Sequence, residues 1–184
     1  MASTVDVSGS VRFDLPSGTV RLADDEKGLL VPAAVLSALV ASAPADARAR
    51  IGRDLGAHLG RGVARRAGSA RSLLEGGIED ALSLLAAELA VAGLGSCHLE
   101  RWGKAMVVCV ADSPLAGAAE FLAHVVEGAL ATATGRPLAC TRLAEDGVVR
   151  LLVSSEGTAS RVRQWLSQGT SYGEALVRIQ GGGS

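Results

Sequence analysis

The sequence predicts an α+β domain in which a mainly antiparallel sheet of two hairpins packs against long helices. Two pairs of apolar segments, each pair separated by turn residues, predict the hairpins, and long apolar-striped segments around them predict the helices. Hydrophobic residues make up 48% of the 184 residues and aromatic residues only 3%, so we expect a core of alanine, leucine and valine. We expect a β-hairpin extension at residues 1–30, one domain at residues 31–180 and a flexible tail at residues 181–184.

The first forty residues predict a hairpin followed by a short helix. Residues 11–15 and 19–22 have strand character and flank Pro16-Ser17-Gly18, which suits a turn. The short helix is predicted to begin near Pro32, because proline fits the first helical turn, and to end before Pro44.

A helix with an unusual glycine pattern is predicted over residues 46–67. Gly52, Gly56 and Gly60 lie four residues apart on one stripe, and each interior glycine costs roughly 0.5–1 kcal/mol relative to alanine. Close approach of another backbone would offset this cost. That backbone could belong to a second subunit, which makes these glycines a candidate dimer interface, or to the helix at residues 78–92 of the same chain.

The remaining elements follow from apolar periodicity and turn residues. After a break at residues 68–77, an apolar helix is predicted over residues 78–92. The predicted strand at residues 104–111 contains the run 105–111, which is apolar on both faces and favours a central strand covered on both sides. The other predicted elements are a strand at residues 96–102, a helix that begins at Ser113-Pro114 and ends near Thr134, strands at residues 138–143 and 148–154, and helices at residues 158–167 and 172–179.

Composition argues against several classes of partner. The net charge is −1, and a run of arginines near the glycine helix has no interleaved aromatic residues, so we expect no nucleic-acid partner. No apolar run reaches the roughly 18–20 residues of a membrane span, and the first residues do not form a signal peptide. Three cysteines without CxxC spacing indicate reduced thiols and a cytoplasmic location.

The sequence lacks a recognisable catalytic or metal motif, so we expect no catalytic residue, metal or cofactor. Cys97 and His98 are neighbours in a strand and point to opposite faces, so they do not form a dyad by themselves. Glu120, His124 and Glu127 share a helix face and could bind a metal, but no second set faces them, which favours a solvated face. An enzyme that uses Cys97 or this helix face remains the third alternative.

Four segments, in order, carry a resemblance to a known family. They are Ile51-Gly-Arg-Asp-Leu-Gly56, Ala92-Gly-Leu-Gly95, Val107-Val-Cys-Val-Ala-Asp-Ser-Pro114, and Glu127-Gly128 with Gly135-Arg-Pro137. Over about residues 52–154 the chain resembles the 4-vinyl reductase-type, or hydrocarbon-binding, domain. This family has the fold of the transport protein particle (TRAPP) subunits that tether vesicles. The first forty residues and the tail lie outside the resemblance.

The resemblance implies a cytoplasmic, often dimeric sensory or adaptor domain with an apolar pocket. Many family members carry a cysteine pair around the last hairpin, whereas here Arg150 and no cysteine follows Gly147. A metal site is therefore not carried over from the family.

We therefore expect a non-enzymatic, ligand-binding regulatory module that dimerises. Its pocket would lie between the segments 78–92, 105–111 and 121–130. The candidate lining residues are Leu85, Leu89, Met106, Phe121 and Val125, which would equally serve an ordinary core. The alternative is a ligand-free scaffold or adaptor that works through its surfaces and a protein partner.

Overall fold

The α+β class predicted from the sequence is confirmed in the computed structural model, which describes residues 9–23, 25–68, 73, 78–115 and 117–181. Most of the predicted break at residues 68–77, and the last three residues of the predicted tail, lie outside these ranges. The described helices are α1 (Ala33–Ser42), α2 (Ala45–Arg66), α3 (Ile78–Val91), α4 (Ala119–Thr134), α5 (Glu156–Ser167) and α6 (Tyr172–Gly181). The described strands are β1 (Val11–Asp14), β2 (Thr19–Leu22), β3 (Lys27–Gly28), β4 (Ser96–Trp102), β5 (Ala105–Ala111), β6 (Ala139–Glu145) and β7 (Val148–Ser154).

The main sheet is antiparallel and has the strand order β4-β5-β7-β6. Each predicted hairpin forms, and the two join because β5 pairs with β7, with Cys109 opposite Arg150. Strand β5 is therefore interior, as its apolar pattern predicts. Alternate side chains of β5 enter two different cores, Val108 and Val110 on one face of the sheet and Val107 and Cys109 on the other.

Helices cover both faces of this sheet. The larger core contains side chains of α2, α3 and α4, among them the fully buried Leu85, Leu89 and Phe121. The smaller core on the opposite face contains Val162 of α5 and Leu176 of α6. The sheet is thus the middle layer, with α4 on one side and α2 packed on the outer side of α4.

The glycine stripe of α2 packs against α4 of the same chain. A Cβ atom on Gly56 would overlap the Val125 carbonyl oxygen and the Ala129 nitrogen, and one on Gly60 would overlap the Ala129 carbonyl oxygen. Gly128 of α4 faces the backbone of α2 in return. The contacts advance together along both helices, so α2 and α4 run parallel with their backbones in contact.

The glycine stripe packs on α4. The partner expected within the chain was the helix at residues 78–92, and this expectation is corrected. A sequence stripe shows that something approaches closely, but it does not identify the neighbour. Gly52, Gly56 and Gly60 are buried in this intramolecular contact. They are therefore covered by α4, and a subunit interface would have to use another surface.

Helix α4 begins later than predicted. Asp112 has a left-handed backbone with φ 54°, and the Ser113 hydroxyl accepts a hydrogen bond from the Leu115 nitrogen at 3.3 Å. Ser113-Pro114 therefore forms part of a connecting turn, and the helix starts at Ala119. The residue before it, Ala118, provides no side-chain cap.

The N-terminal strands form a separate three-stranded sheet with the order β1-β2-β3. Val11 pairs with Leu22 across β1 and β2, and Val20 pairs with Gly28 across β2 and β3. Side-chain contacts connect this region to α2: the Arg66 guanidinium donates to the Ser10 hydroxyl at 2.7 Å, and His58 lies 3.4 Å from Glu26.

Candidate functional site

An apolar cavity of about 470 Å³ lies between the N-terminal sheet and the helical layer. Its walls come from β1 and β2, the segment that precedes α1, helices α1 and α2, the end of α3 and one side chain of α4. The apolar lining comprises Val11, Val20, Leu22, Ala23, Leu29, Leu30, Val31, Leu36, Ile51, Leu55, Leu59, Val91, Ala92, Leu94 and Phe121. The cavity thus joins residues that are far apart in the sequence.

The local sequence explains how each wall reaches the cavity. Strand alternation places Val11 on β1 together with Val20 and Leu22 on β2 at the cavity. On α2, Ile51, Leu55 and Leu59 recur every four residues and form one face of the helix. The glycines one position further along pack on α4. Helix α2 therefore contacts α4 through its glycines and lines the cavity through its neighbouring aliphatic side chains.

One end of the cavity is polar. The Arg66 guanidinium donates to the Glu88 carboxylate at 2.6 Å, and both side chains are largely buried. A Cβ atom on Gly62 would lie 2.5 Å from that carboxylate, so the glycine leaves the space that Glu88 occupies. His58 also lines the cavity and has its Nδ1 atom 3.3 Å from the Arg61 guanidinium.

The structure places one of the five candidate lining residues at this cavity. Phe121 lines it, whereas Leu85, Leu89 and Val125 are fully buried in the larger core and Met106 is partly buried on β5. The lining residues predicted from the sequence are those with the strongest apolar pattern, and these pack against one another. The signal for the actual cavity was the uncharged apolar run Leu29-Leu30-Val31, which precedes Pro32 without belonging to a predicted helix or strand.

The cysteines do not have the character of nucleophiles. Burial raises the pKa of the Cys97 thiol to about 12, and Cys109 lies nearby. Burial and then the Glu100 carboxylate raise the pKa of Cys109 to about 12, and burial also raises the pKa of Cys140. A thiol with a raised pKa is almost entirely protonated near neutral pH and reacts slowly.

The helix face of Glu120, His124 and Glu127 is engaged in contacts with other elements. Glu120 pairs with Arg142 at 3.0 Å, and Glu127 accepts a hydrogen bond from the Cys140 nitrogen at 3.2 Å. Burial lowers the pKa of His124, and its Nδ1 atom lies 3.5 Å from the Arg53 guanidinium. These side chains therefore connect α4 to its neighbours, and the described residues place no second ligand set opposite them.

A different group of potential metal ligands occurs on the sheet. His98, Glu100 and Cys109 have ligand atoms within 4.8 Å of one another. The sequence pattern does not reveal this group, because Cys109 belongs to the next strand and only the register of the hairpin brings it opposite His98.

The fold is similar to that of a sensory domain of a transcription activator. The crystal structure of the phenol-responsive sensory domain of the transcription activator PoxR, with phenol, superimposes with a TM-score of 0.60. The match covers 92% of this chain and 91% of the other, at 15% sequence identity. No family profile and no curated protein matches the sequence.

The structural match reaches further than the sequence resemblance. Only 8% of this chain lies outside it, so most of the first forty residues fall within the matched part. At 15% identity, this likeness shows the fold. Among the described residues, no helix combines the length and hydropathy needed to cross a membrane.

Proposed function

We propose that this chain is a non-enzymatic regulatory module that binds a small apolar molecule in the cavity between the N-terminal sheet and α2. The observation that carries this proposal is the cavity itself, whose volume of about 470 Å³ lies within the ordinary range of ligand pockets. The fold likeness supports it, because the matched domain of PoxR is described as phenol-responsive.

The chemistry of the lining defines the ligand class. Aliphatic side chains form most of the wall, and its polar side chains are Ser10, His58, Arg65, Arg66 and Glu88. Because Arg66 and Glu88 form an ion pair with each other, a charged ligand would have to compete with that pair. The site is therefore suited to a hydrocarbon-like or aromatic molecule with few polar atoms.

Calorimetric titration with phenol, toluene, cyclohexanol and naphthalene tests this proposal. At least one compound is expected to bind with a negative heat-capacity change, because apolar surface is buried. If none of the four binds or raises the unfolding temperature, the proposed ligand class is wrong.

A matched pair of substitutions on α1 tests the location. Leu36 lines the cavity, whereas Leu39 on the same helix is 59% exposed and does not. Leu36→Trp fills part of the cavity and is expected to weaken binding by about tenfold or more, while Leu39→Trp leaves it within about twofold. Equal effects of the two substitutions would place the binding site elsewhere.

The second candidate function is a scaffold or adaptor, and the surface of α1 favours it. Residues 29–43 contain no charged residue, yet Val40 is the one α1 side chain that is buried. Leu29 is 84% exposed and Leu30 is 69% exposed. An exposed apolar surface of this kind is typical of a protein interface.

We further propose that two copies of the chain associate through this surface. A second copy presents the same uncharged apolar surface, and a two-fold interface needs such self-complementarity. Light scattering is expected to show a dimer that Leu39→Glu converts to a monomer. Val177→Glu, at an exposed position of α6, should leave the dimer intact. A monomeric wild-type protein would contradict this proposal.

A further inference from the structure

We propose that His98, Glu100 and Cys109 form a binding site for a divalent metal ion of the zinc type. The site lies on the face of the main sheet that is covered by α5 and α6. It is independent of the apolar cavity, which lies beyond the opposite face, and it does not depend on the proposed function.

The register of the β4–β5 hairpin brings the three side chains together. His98 and Glu100 are two residues apart on β4, so they point to the same face of the sheet. Cys109 lies directly opposite His98 on β5, on the face that forms the smaller core. Backbone pairing of the two strands therefore fixes the positions from which all three side chains extend.

The distances suit a metal after a small adjustment of the side chains. The three ligand atoms lie within 4.8 Å of one another, and the His98 Nε2 atom is 3.8 Å from the Glu100 carboxylate. Tetrahedral zinc with bonds of about 2.0–2.3 Å requires ligand atoms roughly 3.3–3.8 Å apart. Rotation of the exposed His98 side chain can supply most of the difference.

The types of ligand select the class of ion. A thiolate, an imidazole and a carboxylate together favour zinc or cobalt over magnesium and calcium, which prefer oxygen ligands. Binding would displace the Cys109 thiol proton to solvent, because the thiolate is the ligand. Three protein ligands leave the fourth coordination position of a tetrahedral metal free. Because the imidazole of His98 is exposed, this position would face solvent.

Neighbouring side chains orient the carboxylate and set the local charge. The Trp102 indole donates to one Glu100 oxygen at 3.1 Å, which leaves the other oxygen facing His98. Arg150 lies 3.8 Å from Glu100, and its positive charge opposes a bound cation. Asp146 partly neutralises that charge through a contact of 2.5 Å with the guanidinium.

Titration with cobalt(II) tests the proposal, because cobalt bound to a thiolate has a charge-transfer absorption band. The full chain, treated with a chelator and desalted under reducing conditions, is expected to bind one equivalent with this band. Cys109→Ser should abolish the band, and Cys97→Ser should keep it, because Cys97 points to the opposite face.

Two further substitutions keep the test decisive if Cys109→Ser does not fold. His98→Ala removes an exposed ligand and should weaken cobalt binding by at least about tenfold. Arg150→Gln removes the opposing charge and should tighten binding by about threefold or more. The proposal is overturned by the absence of the band, by a band that survives Cys109→Ser, or by unchanged affinity in His98→Ala.

Discussion

At Gly56 the backbones of α2 and α4 are in direct contact, because no Cβ atom separates them. We expect Gly56→Ala to lower the free energy of unfolding by about 1–3 kcal/mol, since the new methyl group must displace the backbone of α4. This loss exceeds the gain of roughly 0.5–1 kcal/mol in helix propensity. Denaturant unfolding measures the change.

A second glycine provides the control for this substitution. Gly157 lies in α5 with open space around its missing Cβ atom, so Gly157→Ala should be neutral or stabilise the protein by up to about 1 kcal/mol. If both variants were stabilised alike, the α2–α4 contact would be looser than the structure shows.

His124 is expected to make stability depend on pH. Burial lowers its pKa, and the nearby charges are Arg53 on α2, Glu120 and Glu127 on α4, and Arg163 on α5. The unfolded chain takes up a proton as the pH falls through about 6.5, whereas the folded chain takes it up at lower pH. Stability should therefore decrease as the pH falls below about 6.5.

Thermal unfolding of wild type and His124→Gln between pH 5.5 and 7.5 measures this effect. The variant lacks the imidazole, so its unfolding temperature should decrease less at the acidic end of the series. Parallel pH profiles for the two proteins would show that His124 titrates alike in the folded and unfolded chains.

At the scale of elements, the sequence predicted three strands of the main sheet to within one residue, because turn residues bound the apolar runs, whereas β6 ends at Glu145, two residues later than predicted. Strand β4 matches its prediction, and β5 begins at Ala105, one residue late. The start of α4 was wrong because the signal at Ser113-Pro114 is satisfied by a turn, and the left-handed backbone of Asp112 redirects the chain. Strand pairing also places Cys109 opposite His98, a contact that no local pattern contains.

Helix α6 is expected to contribute to the smaller core through one side of its surface. Leu176 is fully buried, whereas the next residue, Val177, is 67% exposed. Leu176→Ala should lower the free energy of unfolding by about 2–5 kcal/mol, because it leaves a cavity. Val177→Ala should change it by no more than about 0.5 kcal/mol, and a comparable loss in both variants would contradict the observed orientation of α6.

At the scale of the whole molecule, the sequence predicted the α+β class but did not indicate the cavity between the N-terminal sheet and α2. Apolar periodicity identifies side chains that are buried, and Leu85, Leu89 and Val125 are indeed buried in the larger core. A cavity instead forms where two parts of the chain meet without filling the space between them. Its position depends on how the N-terminal sheet lies against α2, which no local pattern specifies.

Hydrogen exchange should distinguish the N-terminal sheet from the four-stranded sheet. Strands β5 and β7 are interior strands covered on both faces, so their amides should exchange slowest. Amides of β1 and β2 should exchange faster, because their side chains are largely half-buried or exposed. A compound that binds the cavity should slow amide exchange in β1 and β2 and leave exchange in β5 unchanged. Added protection confined to β5 and β7 would contradict the proposed location of the ligand site.

The wall of the cavity is divided between the N-terminal sheet and the helical layer, and among the described residues the N-terminal sheet shares no strand with the four-stranded sheet. Val11, Val20 and Leu22 belong to the N-terminal sheet, and none of them is part of the two buried cores. Substitutions at these positions can reshape the cavity while the four-stranded sheet and its helices keep their packing. Ligand preference and folding stability can therefore change independently in evolution. A library of variants restricted to the first thirty residues should alter ligand preference without lowering the stability of the four-stranded sheet and its helices.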